Sequence, residues 1–373
     1  MNKRIIVHVG PPKTGSSAIQ KWLNQNQQLM QDNGYLYPSH NMDMNGISSG
    51  NFNTILDVTP ERQVTFNRVR FIALLEEFNQ SNYHTLLLSS EYFINQVKNI
   101  LDVTKNVLFI AYVRPPIEFV ESIYNQSIKR NGNSNIIALR SKLSAGAIDA
   151  IIELSQTCGH EHFMLRAYSE SAGFYKSIIH DFCAAINFNV PVDAITEDER
   201  VNRSYSFEAL EFKRWLNGYV GKRFDTQLDP ILQRFDSGIE EFTLIPIELF
   251  EKYRTQSISL IQQRFKKLEL AHQDDLITHV GAINRKRYCH QELNKQQFIK
   301  MASYLRHCDY HLYINLCLEV AGSNSLGNQN RQFVQLFMQG YLTSKQLFSF
   351  SKIRAGQHTL KSWAYCLYQN MLK

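Results

Sequence analysis

The sequence predicts an α/β protein built on a doubly wound parallel sheet and followed by a C-terminal helical extension. Three observations support this fold class. Short apolar runs alternate with longer segments of helical periodicity. Some of these runs are apolar almost throughout, as strands buried on both faces are. A turn rich in glycine and proline joins the first run directly to a helix.

Four segments are predicted as strands because they are short, apolar and rich in β-branched or aromatic residues. They span residues 4–9, 84–89, 106–113 and 162–167. Helical patterns follow or separate them at residues 16–32, 61–79, 116–130 and 171–186. Strands that alternate with helices favour a parallel sheet, because each crossover helix returns the chain to the same end.

The second half of the chain is predicted to be mainly helical. Its helix candidates are residues 206–217, 247–270, 294–308 and 330–350. Residues 38–60, rich in Pro, Asn, Gly and Ser, are predicted to form a long loop. The predicted domains are an α/β core at 1–220, a helical extension at 221–320 and a basic helical tail at 321–373, with 322–328 as the linker.

The loop after the first strand is predicted to bind an anion. It runs from Gly10 to Ser17 as Gly-Pro-Pro-Lys-Thr-Gly-Ser-Ser. The N–H groups at the start of the next helix have no intrahelical partners, and the helix dipole adds positive charge there. Lys13 and three hydroxyls surround the same point; the hydroxyls belong to Thr14, Ser16 and Ser17. We therefore expect a P-loop-like nucleotide site.

The position of the lysine limits which nucleotides the loop is expected to bind. Loops that bind nucleoside triphosphates follow G-x-x-x-x-G-K-[ST], with lysine directly after the second glycine. Gly10 and Gly15 keep this spacing, but Ser16 follows Gly15 and the lysine lies earlier, at Lys13. A lysine inside the loop must reach the anion from a different side, which argues against ATP hydrolysis.

A second segment supplies a phosphate-binding pair. The apolar strand 106–113 ends at Arg114, and Pro115-Pro116 opens a helix. Ser122 lies eight residues after Arg114, about two helical turns along. An arginine fork and a hydroxyl suit a terminal phosphate group. A surface salt bridge for Arg114 and a solvated Ser122 are the simpler alternatives.

Together these motifs resemble the sulfotransferases that use 3′-phosphoadenosine 5′-phosphosulfate (PAPS). The loop Pro12–Ser17 is similar to their 5′-phosphosulfate loop, and Arg114 with Ser122 is similar to their 3′-phosphate site. Gln20 and Trp22 resemble the bacterial carbohydrate and polysaccharide branch. The resemblance covers roughly residues 3–217, and the Arg-Lys-Gly nucleotide motif of many animal members is not visible.

The resemblance implies in-line transfer of a sulfuryl group from PAPS to a hydroxyl or amine of a carbohydrate or glycolipid acceptor, without a metal. It implies donor contacts from the loop, from the Arg–Ser pair and from a later strand; they are Pro12, Lys13, Thr14, Gly15, Ser16, Ser17, Arg114, Ser122, Arg166 and Tyr168. Lys13 would also neutralise charge on the bridging oxygen during transfer.

Two residues are candidates for the general base that accepts the acceptor's proton. Glu91 is the first, because it follows a predicted central strand and faces the same crevice; capping the next turn is its alternative role. His8 is the second, although a histidine inside a first strand is more often a hydrogen-bonded core residue. Two other functions stay open: a P-loop-type kinase with a non-standard loop, and a non-catalytic nucleotide-binding scaffold.

The excess positive charge of the chain lies in its C-terminal segment. The formal net charge is +6, yet residues 1–319 hold 34 basic and 34 acidic residues. Six basic residues follow Glu319; they are Arg331, Lys345, Lys352, Arg354, Lys361 and Lys373. With the neighbouring aromatic residues, they would allow contact with anionic lipid. We favour an amphipathic helix packed on the core, and no nucleic-acid partner is expected.

The remaining features predict a cytoplasmic protein, with peripheral membrane contact as the alternative. No apolar run is long enough for a transmembrane helix, and the first strand begins too early to leave room for a signal peptide. Six scattered cysteines without a C-x-x-C pair are typical of reduced thiols. His307, Cys308 and His311 share a helical spacing but close no ligand pattern, so no metal is expected.

Overall fold

The computed structural model describes residues 3–41, 48–59, 61, 63–169, 177–191, 204–323 and 331–339. The chain forms two compact units. The first contains Met1–Ser122, Arg140–Asn202 and Ile247–Arg285. The second contains Ile123–Leu139, Arg203–Pro246 and Lys286–Lys373.

The strands, in chain order, are β1 Arg4–His8, β2 Tyr35–Leu36, β3 Leu56–Val58, β4 Val64–Phe66, β5 Thr85–Ser89, β6 Val107–Val113, β7 Phe163–Ala167, β8 Phe242–Thr243, β9 Leu270–Ala271 and β10 Arg287–Tyr288. The helices are α1 Ser16–Gln25, α2 Gln27–Asp32, α3 Arg68–Gln80, α4 Val97–Leu101, α5 Pro116–Asn131, α6 Gly146–Cys158, α7 Ile178–Ala185, α8 Phe207–Asn217, α9 Asp225–Gln233, α10 Ile247–Arg264, α11 Gln273–Ala282, α12 Lys295–Cys308, α13 Tyr310–Gly322 and α14 Arg331–Met338.

A six-stranded sheet organises the first unit, in the order β2-β5-β1-β6-β7-β9. Every neighbouring pair in it is parallel. The four predicted strands are its four central members, so the predicted α/β class with a parallel sheet is confirmed. The chain leaves β1 towards β2 on one side and leaves β6 towards β7 on the other. Ligands of parallel α/β sheets bind at the carboxyl ends of such diverging strands.

The central strands are apolar because both faces of the sheet are covered. On one face, Ile6, Leu87 and Ile110 pack with Leu23 of α1 and Phe182 of α7. On alternate positions, residues such as Val7, Leu88 and Phe109 are also fully buried. Near-continuous apolar runs are what strands buried on both sides require.

The hairpin of β3 and β4 replaces parts of a predicted loop and a predicted helix. Residues 38–60 were expected to be a loop and 61–79 a helix, but β3 and β4 pair antiparallel across this boundary. The helix α3 therefore begins only at Arg68, where the Asn67 side chain accepts a hydrogen bond from the Arg70 N–H and caps it.

Two other predicted helices differ from the structure, one because it is divided and one because it ends early. The helix predicted over 16–32 divides at Asn26 into α1 and α2. The helix predicted over 247–270 ends at Arg264, and β9 then joins the sheet edge beside β7. Apolar residues at the end of a helical pattern fit a short buried strand equally well, so periodicity alone did not separate the two.

The second unit has an aromatic core built mainly by helices. Phe212 and Trp215 of α8 contact Phe298 of α12, with ring centroids 5.3 and 4.8 Å apart. Phe337 of α14 is fully buried in the same cluster. Within the described residues of the tail, this packing supports an amphipathic helix on the core; residues 340–373 lie outside the described residues.

The two units divide the chain differently from the predicted domains. Helix α8 was placed in the α/β core at 1–220, but its apolar side belongs to the aromatic core of the second unit. Residues 247–285 were placed in the helical extension, but they belong to the first unit because β9 extends its sheet.

Gly50 lies between β2 and β3 and packs against Ser89 at the end of β5. Its φ is +74°, and a Cβ atom there would lie 1.7 Å from the Ser89 carbonyl oxygen. We predict that Gly50→Ala lowers the free energy of unfolding by about 2–4 kcal/mol, because both backbone strain and overlap oppose it. Gly281→Ala is the matched control, since nothing lies within 4 Å of its Cβ position in α11. Equal stability of the two variants in denaturant titrations would contradict this prediction.

Candidate functional site

The loop between β1 and α1 holds an unusual backbone conformation. Gly10 and Gly15 have φ values of 85° and 82°, and Lys13 has a φ of 70°. A non-glycine residue is uncommon in this left-handed region and costs free energy there. The hydroxyl of Thr14 donates to the Pro11 carbonyl at 2.6 Å and is fully buried. The Thr14 hydroxyl was expected to face a ligand. In the structure it stabilises the turn instead.

The start of α1 has the properties of an anion site. Gly15 is its N-cap residue, and no side chain caps the helix. Ser16 is buried, and its hydroxyl lies beside the Glu91 carboxyl group. Pro12 is exposed and Ser17 is half-buried. Uncapped N–H groups beside a buried hydroxyl favour a negatively charged ligand.

Arg114 connects this loop to the end of β6. Its Nη1 donates to the Lys13 carbonyl oxygen at 2.9 Å and to Ser122 Oγ at 3.1 Å. The residue is only 8% exposed. The two motifs predicted to hold one nucleotide are therefore joined through a single guanidinium group.

Tyr168, the residue after β7, packs against the loop. The Cζ atom of the Arg114 guanidinium group lies 5.7 Å from the centroid of the Tyr168 ring. A Cβ atom at Gly15 would lie 3.1 Å from Tyr168 Cε2 and 3.0 Å from Ile178. Only a residue without a side chain fits beneath this ring, which places Tyr168 directly against the loop.

Glu91 lies on the other side of the loop. Its Cγ would be 3.3 Å from a Cβ atom at Gly10, so the two residues are in close contact. Burial raises the pKa of the Glu91 carboxyl group above 4.5, while the Ser16 hydroxyl and the Lys13 ammonium oppose this increase. A carboxylate with a raised pKa is a stronger base than an ordinary carboxylate, and Glu91 lies next to the Gly10–Ser17 loop.

His8 is located in the core rather than in the crevice. It is fully buried, its ring packs edge-on against Tyr112 and Phe182, and its Nδ1 lies 2.8 Å from Ser89 Oγ. Burial lowers its pKa to about 3. This placement matches the core histidine that was the alternative to a general base.

Arg166 pairs with an acidic residue of α7. Its Nε and Nη2 donate to the two carboxylate oxygens of Asp181 at 2.7 and 2.6 Å. The Tyr112 hydroxyl donates to the same carboxylate at 2.7 Å. Because two of its nitrogens are bound to Asp181, Arg166 braces β7 against α7, and its expected contact with a nucleotide stays a prediction.

The sequence predictions missed a polar cluster next to Arg114. Glu118, one helical turn after Arg114, lies 3.4 Å from its Nε. Ser169 and His279, from distant parts of the chain, contact the same carboxylate. The i,i+4 spacing of Arg114 and Glu118 was visible in the sequence, but nothing local indicated Ser169 or His279.

Comparisons with models of protein families, with characterised proteins and with solved structures each returned no match. Within the described ranges, no three His, Cys, Asp or Glu side chains are grouped as metal ligands. None of the described helices is both long enough and apolar enough to cross a bilayer.

His8 leads to a prediction about acid stability. Unfolded histidine has a pKa near 6.5, whereas folded His8 stays neutral down to about pH 3. Between these values the unfolded chain binds a proton that the folded protein does not, so stability falls as the pH falls. We predict that His8→Asn removes about 1–2 kcal/mol of the stability loss between pH 6.5 and about pH 5. Urea titrations at several pH values measure this difference.

The matched control is His307→Gln, which changes an exposed histidine. It should leave the pH dependence as in the wild type. A His8→Asn variant whose stability follows the wild-type pH curve would show that His8 is not kept neutral by burial.

Proposed function

We propose that this protein is a PAPS-dependent sulfotransferase that acts on a carbohydrate hydroxyl or amine. The observation that carries this proposal is the pair of hydrogen bonds from Arg114 to the Lys13 carbonyl and to Ser122. One arginine that borders both an anion loop and a hydroxyl suits a nucleotide with phosphates at two positions.

The donor would be held at both of its phosphate-bearing ends. The first-turn N–H groups of α1 and the hydroxyls of Ser16 and Ser17 would bind the 5′-phosphate. Arg114 and Ser122 would bind the 3′-phosphate, which PAPS carries and ATP lacks. Tyr168 would add an aromatic surface beside Arg114.

The transfer itself would be an in-line displacement at sulfur. The acceptor oxygen forms a bond to sulfur while the bond from sulfur to the bridging oxygen of the 5′-phosphate breaks. Glu91 takes the proton of the acceptor hydroxyl, and adenosine 3′,5′-bisphosphate leaves. Lys13 neutralises the negative charge that develops on the bridging oxygen.

An aromatic pair next to Glu91, formed by one exposed and one half-buried ring, supports a sugar acceptor. Tyr92 follows Glu91 directly and is 41% exposed. Its ring centroid lies 5.0 Å from that of Phe52. Aromatic rings with one open face suit the apolar C–H face of a sugar ring, while a carboxylate binds its hydroxyls.

The nucleotide preference tests the donor site. We predict that the protein binds adenosine 3′,5′-bisphosphate ~100-fold more tightly than 5′-AMP or ATP, since only the bisphosphate reaches both Arg114 and Ser122. Ser122→Ala should weaken bisphosphate binding about tenfold and leave 5′-AMP binding unchanged. Titration calorimetry with the three nucleotides measures both effects.

Ser259→Ala, a hydroxyl deletion in α10 away from this loop, is the matched control and should bind like the wild type. Equal affinity of the wild type for the bisphosphate and 5′-AMP would refute the 3′-phosphate site. Preferred, magnesium-dependent binding of ATP would favour a kinase instead.

The role of Glu91 has a separate kinetic signature. A general base works only when deprotonated, so turnover should fall as the pH drops through the raised pKa of Glu91. We predict that Glu91→Gln lowers kcat by about 100-fold or more and removes this acidic limb. Sulfate transfer from labelled PAPS to a mixture of polysaccharides, followed across pH, is the measurement. A variant with unchanged kcat and an unchanged acidic limb would rule out Glu91 as the base.

A further inference from the structure

A bridging carboxylate lies directly behind the arginine of the candidate 3′-phosphate site. Glu118 Oε2 is 3.4 Å from Arg114 Nε. Its other oxygen, Oε1, accepts a hydrogen bond from Ser169 Oγ at 2.5 Å and lies 3.3 Å from His279 Nε2. The two carboxylate oxygens of Glu118 are therefore used for different partners.

This cluster is largely removed from water. The side chains of Arg114, Glu118 and His279 are 5%, 13% and 16% exposed. Charges in such surroundings interact more strongly than at the surface, because solvent screens them less. A negative charge this close to Arg114 offsets part of the attraction that its guanidinium group exerts on an anion.

Ser169 and His279 fix the position of that negative charge. Ser169 Oγ also lies 2.7 Å from His279 Nε2, so the two residues hold Glu118 Oε1 from one side. Since Oε1 is held, the carboxylate does not rotate to place both oxygens on Arg114. The Nη1 of Arg114 keeps its bonds to Lys13 and Ser122.

We propose that Glu118 tunes the affinity of the nucleotide site by opposing the 3′-phosphate at Arg114. This inference rests on the proposed function. A bisphosphate product keeps both phosphates after transfer and would be held by the same phosphate contacts as the donor. A fixed carboxylate behind the arginine weakens that hold and speeds product release, a step that limits many enzymes. Glu118 is thus a positioning residue that acts through Arg114.

The charge of Glu118 is tested by Glu118→Gln, which keeps the shape of the side chain. The amide oxygen still accepts from Arg114 and the amide nitrogen can donate to Ser169, so the cluster stays connected. We expect adenosine 3′,5′-bisphosphate to bind about fivefold more tightly than to the wild type, and 5′-AMP to bind as before. In turnover assays, slower release should lower kcat and KM together.

Two further variants make the result specific. Asp149→Asn removes a carboxylate charge from the exposed Asp149–Arg264 pair of the same unit and should change neither affinity. Glu118→Met removes the charge with a side chain of similar length, and Ser169 and His279 can still bond to each other. If Glu118→Gln proves unstable in a thermal melt, Glu118→Met replaces it, and the same gain in bisphosphate affinity is expected.

The outcomes separate this inference from the proposed function. A wild type that does not prefer the bisphosphate over 5′-AMP overturns both. A wild type that does prefer it, with Glu118 variants that bind the bisphosphate equally or more weakly, overturns only the role of Glu118. Tighter binding of both nucleotides to the variants also overturns it, because the effect would then not pass through the 3′-phosphate.

Discussion

The parallel pairing of β1 with β5 on one side and β6 on the other is the constraint on which the candidate site depends. In this register His8 aligns with Ser89 and with Ile110, so β1 and β5 end at the same level and β6 continues to Val113. The pairing continues past β1, where the Tyr112 N–H donates to the Gly10 carbonyl. Residues that follow the strands therefore arrive at one edge of the sheet, although they are far apart in the chain.

Two buried arginines near that edge have different sets of partners. Arg114 is shared by a backbone carbonyl, a hydroxyl and the Glu118 carboxylate, whereas Arg166 forms a two-pronged pair with Asp181 through Nε and Nη2. Since burying an unpaired charge is costly, both arrangements stabilise the fold. The difference lies in their surroundings: Arg114 borders an uncapped helix start, and Arg166 lies under α7.

The local motifs were predictable from the sequence because their geometry depends on neighbouring residues. The loop Gly10–Ser17 and the eight-residue spacing of Arg114 and Ser122 were both identified before the fold was known. The contact of Glu91 with the loop was expected from its place after a central strand. A hydrogen-bonded place in the core was the alternative for His8, and contacts with Tyr112 and Phe182, which come from other elements, decide in its favour.

The sequence by itself determined the parallel α/β core and the two motifs that are predicted to bind phosphate, because apolar runs, turn residues and short spacings are properties of adjacent positions. Only the tertiary structure decided that Arg166 pairs with Asp181, that Thr14 serves the turn, and that Ser169 and His279 meet Glu118. These outcomes depend on which face of the sheet a side chain occupies and on which distant group lies opposite. Packing between remote segments sets both, and no local pattern encodes it.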